Sequence, residues 1–501
     1  MSEPLLFESS VSGRRAVRYP KWNKGKASAD CVPAPLLRKN PPALPELSEL
    51  DVVRHFTRLS QKNFSVDSHF YPLGSCTMKY NPKACDTLSA LPGFAGAHPF
   101  YPDEAVQGLL EILYELERML SEICGMDAFT LQPAAGAHGE LTGVLIAKAY
   151  LHSLGPESAR RSKILVPDSS HGTNPASAAL CGFEVVTVRS NPRGRIDPKD
   201  LAAHLGPDTA LVMLTVPNTL GLFEDEVREI LREVHRCGAL AYMDGANLNA
   251  LVGLLRPGDL GFDIVHVNVH KTFATPHGGG GPGAGPVGVK KHLISFLPGS
   301  RIVRREKVYV LESPDASSIG RLRAFIGNTG VLIRSYIYLR LLGAEGLRSV
   351  SETAILHANY IRALLKEDYP SFVDEACMHE CVLRPHPETL RGVRTLDIAK
   401  RLLDFGFHAP TIYFPLIVPE AIMVEPTETE SKEVLDRFAR VLKRIAQEAR
   451  ESPEKLKGAP YSAPIRRLDE VKAAREPNLR WKPATSRFGC SKRVADEEVA
   501  K

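Results

Sequence analysis

No stretch of about twenty apolar residues occurs in this 501-residue chain, which argues against a membrane-spanning helix. The opening residues MSEPLLFE carry two acids ahead of the first arginine, unlike a secretory signal or an arginine-rich transit peptide, so a cytoplasmic location is expected. Charge of one sign is equally scarce. The 63 basic and 58 acidic residues leave a net +5 with no basic stripe between aromatics, which argues against dedicated nucleic-acid binding. The nine cysteines lack zinc spacing: Cys377 and Cys381 stand four apart in an expected strand, no second pair completes a site, and reduced thiols are the simplest expectation. No Gly-Lys-Ser/Thr ends the glycine-rich segment 277–289, which removes a nucleotide triphosphatase.

What the chain does have is a lysine at the end of an apolar run. Residues 263–271 (DIVHVNVHK) alternate with period two, so Val265, Val267, Val269 and Lys271 are expected on one strand face. Apolar surroundings disfavour an ammonium and make the amine nucleophilic near neutral pH, as a Schiff-base lysine requires. The following HGGGGPGAGPVGV, with seven glycines in thirteen residues, lets backbone approach a flat cofactor. On its own this pair reads first as a strand ending in a solvated lysine before a flexible loop.

Four further strand-like runs end in polar residues. Residues 128–131 lead to QPAAGAH and a helix expected over 139–153, whose start offers free amides and a positive dipole end to a phosphate. Residues 163–166 lead to DSSHGTNP, where His171 can lie against an aromatic ring. Residues 210–215 lead to Pro217 and Asn218, whose carboxamide can bond a ring oxygen. Residues 239–244 end in Asp244, which can hold a pyridine nitrogen protonated. Taken alone, each residue reads first as a local cap or turn former. Arriving in order at the ends of successive strands, they describe one ligand site at the edge of a mostly parallel sheet.

FYPLGSCTMKYNP (70–82), QPAAGAHGE (132–140), DSSHGTNP (168–175), DGANLN (244–249), VHKTF (269–273) with its glycines, and VEPTETE (424–430) together resemble the P-protein of the glycine cleavage system. The likeness is to its pyridoxal-phosphate-binding part, glycine dehydrogenase (decarboxylating) subunit 2. The resemblance implies an α/β, aminotransferase-like (fold type I) enzyme with a smaller C-terminal α/β domain. It implies pyridoxal 5'-phosphate held by Lys271, with Asp244 at the ring nitrogen, His171 stacked on the ring, Asn218 near the ring oxygen, Ala135, Gly136 and Ala137 at the phosphate, and His270 beside the lysine. Lys271, Asp244 and His171 are then the catalytic residues; Thr77, Lys79, His138 and His270 are candidates for the glycine carboxylate or the lipoyl arm. The implied reaction is glycine decarboxylation, a step of glycine catabolism, with aminomethyl transfer to lipoylated H-protein. The family builds its enzyme from two related halves, and no second copy of the Lys271 region occurs here, so a homologous subunit 1 is the implied partner, two copies of each forming a heterotetramer.

Length and 44% apolar content fit two or three domains. The expected divisions are a proline-rich extended arm (1–50), a large cofactor-binding domain (51–300) with an active-site loop at 70–82, a small domain (301–451) and a tail (452–501) in which Cys490 has no evident role. Helices are expected over 103–124, 321–342, 351–367, 395–405 and 430–449, one begins at Asp197 and Pro198, and Thr427 to Glu430 fits a capping box. Three competitors remain. A metal hydrolase on His266, His270 and His277 fails because four strand residues span roughly 13 Å. A lysine-less scaffold is opposed by Lys271 and Asp244. Another fold type I decarboxylase, or a cysteine desulfurase, survives.

Overall fold

Seven short runs rich in Val, Leu, Ile and Ala pair into one sheet: β1 (Ala128–Thr130), β2 (Lys163–Pro167), β3 (Glu184–Val188), β4 (Thr209–Thr215), β5 (Leu240–Gly245), β6 (Ile264–Val267) and β7 (Val287–Val289). The computed structural model describes residues 3–17, 32–40, 42–98, 101–277 and 283–479. The glycines 278–281, much of the arm and Cys490 lie outside the described residues. The order is β1-β7-β6-β5-β4-β2-β3, parallel except where β7 pairs antiparallel with both β1 and β6. Alternate residues of the central strands enter different cores. Leu211, Met213, Tyr242 and Ile264 pack with Val144 and Ile146 of helix Gly136–Ser153. Val212, Leu214, Met243 and Val265 pack with helices Gln107–Cys124 and Val227–Arg236. Burial on both faces is why these strands read as near-continuous apolar runs, each large side chain contributing about 1.5–3 kcal/mol. This mixed α/β architecture with a mostly parallel sheet is the expected fold class.

A hairpin, β8 (Arg301–Arg305) with β9 (Val308–Glu312), follows. Helix Thr329–Leu365 then joins the two main cores. Its first part, through Leu332 and Leu339, belongs to the large core, and Ala358, Ile361 and Leu365 belong to a second core built on β10 (Cys381–Leu383), β11 (Thr411–Ile412) and β12 (Ile422–Val424). The helices expected over 321–342 and 351–367 are thus one element, starting later and broken at Gly343, whose φ of 61° is open to glycine. Thr395–Asp404 and Lys432–Glu451 pack on that small sheet. Asp197 caps its helix by accepting from the Lys199 amide at 2.9 Å.

Three local expectations are corrected. The strand over 263–271 ends at Val267, where its parallel pairing with β5 stops at Gly245; the chain then turns, the Lys271 amide donating to Asn268 O at 3.0 Å. Lys271 therefore sits in a turn just past the strand, and the strand-spacing argument against a histidine ion site loses its premise, although no described three-residue ligand cluster combines His266, His270 and His277. The cap of Lys432–Glu451 is Ser431, not the Thr427 box, and Thr427 takes a φ of 64°. Cys377 precedes β10 instead of sharing a strand with Cys381.

Candidate active site

The carboxyl ends of β2, β4, β5 and β6 open onto a cavity of about 310 Å³ lined by Gly136, Ala137, His171, Asn218, Asp244, His270 and Lys271, among others. That lies within the size range of small-ligand sites. Lys271 Nζ donates to Ser75 O at 2.7 Å, so the 70–82 loop supplies one wall. Asp244, at the end of β5 and 4% exposed, accepts from Asn174 Nδ2 at 3.1 Å and from the Ala246 amide at 3.0 Å, with His266 Nε2 3.4 Å away. Burial pushes its carboxyl up, but His266, the Ala246 amide, Lys271 and Asn174 outweigh it and hold the pKa below the usual value, so Asp244 is a carboxylate. His171 stands at the exposed mouth with Nδ1 bonded to Thr173 Oγ1.

The imidazoles around Lys271 are neutral at neutral pH. Burial brings His266 down to about 4, and burial, His277 and Lys271 bring His270 to about 3; His277 falls to about 4, again first by burial. His270 and His277 pack edge to face at 5.2 Å.

Helix Gly136–Ser153 starts earlier than expected. Ala135 is its extended N-cap residue, and no side chain caps the first turn, so the amides there remain available to an anion. A Cβ at Gly136 would lie 2.6 Å from Asn268 Nδ2, and one at Gly285 would lie 2.2 Å from Ala135 O. These glycines bring three segments together at the cavity floor.

The structure separates the remaining candidates. The Asn218 amide is spent internally: Nδ2 donates to Gly194 O (2.9 Å) and Glu224 Oε1 (2.8 Å), and Oδ1 accepts from Leu220 and Leu222. His138 Nδ1 accepts from the Ala134 amide, bracing the turn before the helix. Thr77 donates to Glu425 from both amide and hydroxyl, at 3.0 and 2.6 Å. Lys79 is buried against Glu428 (2.8 Å), Tyr338 and Asn249. None of the last three lines the cavity. Lys79→Ala is accordingly expected to cost about 3–5 kcal/mol by stranding the Glu428 charge, read as a lowered denaturation midpoint, while cofactor absorbance persists in the folded fraction. A stable variant with impaired substrate binding would assign Lys79 to the site instead.

Sequence reasoning missed several wall groups, four of which bear on the chemistry. Thr215 Oγ1, Asn268 Oδ1 and Glu140 Oε2 face the cavity region buried and without a hydrogen-bond partner. Glu380 arrives from the small domain. Burial, with Asp244 beside it, lifts the Glu140 carboxyl to about 9, so it is protonated. Orphaned polar atoms of this kind call for a polar ligand. With an amine, a buried carboxylate and free helix amides around one space, the residues present fit pyridoxal phosphate.

A family profile described as "Glycine cleavage system P-protein" matches residues 25–308, and "Glycine dehydrogenase, C-terminal domain" matches 350–460. The chain belongs to the glycine cleavage system P-protein family. Curated relatives called "Probable glycine dehydrogenase (decarboxylating) subunit 2" are 57% identical in Desulforamulus reducens, covering 96% of this chain and 100% of the relative, and 56% identical in Caldanaerobacter subterraneus, covering 95% and 98%. A crystal structure of glycine decarboxylase (P-protein) of the glycine cleavage system in inhibitor-bound form superposes with a TM-score of 0.70 at 24% identity, covering 83% of this chain and 93% of that one. An Oryza sativa TDC with PLP and tryptamine (TM-score 0.62, 15% identity, 83% and 90% covered) shares the fold alone, as does a Thermococcus onnurineus cysteine desulfurase (0.57, 17%, 78% and 96%). The competing decarboxylase or desulfurase assignment therefore has fold likeness behind it and no more.

Proposed function

We propose that this chain is the lysine-bearing, catalytic subunit of a two-subunit P-protein, removing carbon dioxide from glycine and delivering the aminomethyl group to the lipoyl disulfide of H-protein. The observation that carries the reading is Lys271 and Asp244 meeting in one cavity of a chain whose relatives, over nearly its whole length, are named glycine dehydrogenase subunit 2. Pyridoxal phosphate, when bound, supplies the electron sink for the pair left as carbon dioxide departs. Lys271 Nζ, bonded to Ser75 O, would provide the amine that anchors it. Asp244 holds a proton at the ring nitrogen. His171, at the cavity mouth, would lie against the ring, and the amides of Gly136 and Ala137, beside Ala135, would hold the phosphate. Thr215 and Asn268 offer their unspent oxygens to the ligand. Asn218 positions its own turn. Of the substrate and lipoyl-arm candidates, His270 is the one on the cavity wall, a neutral acceptor next to the lysine.

A single lysine-bearing unit in a family that works in pairs calls for a homologous subunit 1, in a complex with two copies of each, and oligomers of this kind commonly complete active sites across interfaces. Among the described residues no helix is long and apolar enough to cross a membrane, and we place the complex in the cytoplasm. Exchange of labelled bicarbonate into glycine tests the assignment. Activity is expected from the mixture of this chain, the homologous subunit and lipoylated H-protein. Full exchange from this chain with H-protein alone would overturn the two-subunit reading, and no exchange from the complete mixture would overturn the reaction.

A further inference from the structure

The segment Cys377 to Cys381 carries His379 and Glu380 from the small domain into the cavity wall. It is held tightly. Asn359 brackets the Cys377 backbone (Nδ2 to O 2.6 Å, amide to Oδ1 3.0 Å), and Met378 N donates to Gly221 O at 2.7 Å. Gly221, at φ 74°, has no room for a Cβ, which would lie 2.0 Å from Glu380 O. Glu380 is 3% exposed and accepts from the Ser75 amide at 2.8 Å, directly beside the carbonyl that holds Lys271. Ligand atoms of Glu380, Glu425 and His379 lie within 4.8 Å of one another. Glu425, fully buried, spends its oxygens on donors from Thr77, Asn247 and Asn249, an arrangement suited to a carboxylate. His379, 2% exposed, has a buried Nδ1 with no partner.

Two carboxyls this close do not both ionise in a dry site. Burial first, then Glu425 and Cys377, push Glu380 far above the ordinary carboxylic range; the Ser75 amide and Lys271 pull the other way and lose. Glu380 thus carries a proton at neutral pH. The other cavity groups supply it poorly: His171, His270, His277 and His379 are all held below the usual imidazole value, first by burial, so they are neutral. The Cys76 thiol is raised by burial, Lys271 is committed to the cofactor, and Glu140, the other protonated carboxyl, belongs to the separate cluster with Asp244 and His266 and not to the one with Glu380.

We propose that Glu380 is the acid that protonates the departing sulfur when the disulfide acceptor is opened, a role that rests on the reaction proposed above. In that step the electron pair on the aminomethyl carbon forms a carbon–sulfur bond as the sulfur–sulfur bond breaks. The carbon is oxidised by two electrons and the disulfide is reduced. The released sulfur takes the proton from a Glu380 carboxyl oxygen, and the resulting carboxylate recovers a proton from solvent.

The test uses the assembled enzyme with pyridoxal phosphate and lipoylated H-protein, following single-turnover aminomethyl transfer against pH. Wild-type transfer is expected to fall on the alkaline side as Glu380 loses its proton. E380Q is expected to transfer at least about 100-fold more slowly, as loss of a general acid does, and to lack that alkaline limb. Its glycine-induced change in cofactor absorbance should keep the wild-type concentration dependence. In cofactor-free protein, the infrared difference between wild type and E380Q should contain a protonated-carboxyl band. E425Q, which removes the neighbouring charge, should move the alkaline limb to lower pH. Wild-type transfer by E380Q, absence of that band, or an unmoved limb in E425Q each overturns the assignment. Absence of any transfer by wild type overturns the proposed reaction instead.

Discussion

Lys271→Ala is expected to abolish turnover and, with it, the visible absorption of the protein with pyridoxal phosphate. The variant loses the amine that reaches the cavity from the turn after β6, and among the described residues no other lysine lines that space. Its fold should persist. Among the described residues Nζ bonds Ser75 O alone, and truncation leaves a carbonyl facing a roomy polar cavity where water can bond it. The measurement pairs an absorbance scan with borohydride reduction: the band should be missing, and no cofactor should become fixed to the chain. Retained fixation would remove Lys271 from its role.

Asp244→Asn is expected to keep the lysine linkage and lower decarboxylation by at least about 100-fold, because a neutral amide cannot hold a proton at the ring nitrogen through a charge-assisted bond. The surroundings accommodate the change. The Ala246 amide still finds Oδ1, and Asn174 can flip to present its unpartnered Oδ1 to the new amide. A loss of activity with normal cofactor loading therefore separates chemistry from folding. Near-normal turnover would mean that another group governs the ring nitrogen, and Glu140, protonated and within 4.8 Å of Asp244 and His266, is the neighbour to examine next.

Much of the candidate cavity was legible in the chain because it is written locally. His171, Asn218, Asp244 and Lys271 each follow their own strand, and a parallel sheet gathers its carboxyl ends at one edge whatever the details of packing. Where local pattern misled, the cause was a partner it cannot see. The apolar alternation runs on through Val269, but β6 ends where β5 stops pairing with it, at Gly245. Asn218 has the right chemistry for a ring oxygen, yet Gly194 and Glu224 claim its amide from 24 and 6 residues away. Lys79 and Thr77 look free in a loop of small polar residues, and their partners Glu428 and Glu425 lie 349 and 348 residues distant. Glu380 was hidden differently. The string CMHEC draws attention to its cysteines, whereas the chemistry rests on the acid between them, whose bond to the Ser75 amide spans 305 residues.

The central claim, that Lys271 anchors the cofactor in a cavity shared by Asp244 and the 70–82 loop, is tested most directly by one peptide map. The wild-type chain with pyridoxal phosphate is reduced with borohydride, digested and analysed for the modified lysine. The account predicts a single labelled peptide containing Lys271 within VNVHKTF; label on any other lysine, or spread over several with Lys271 untouched, would contradict it.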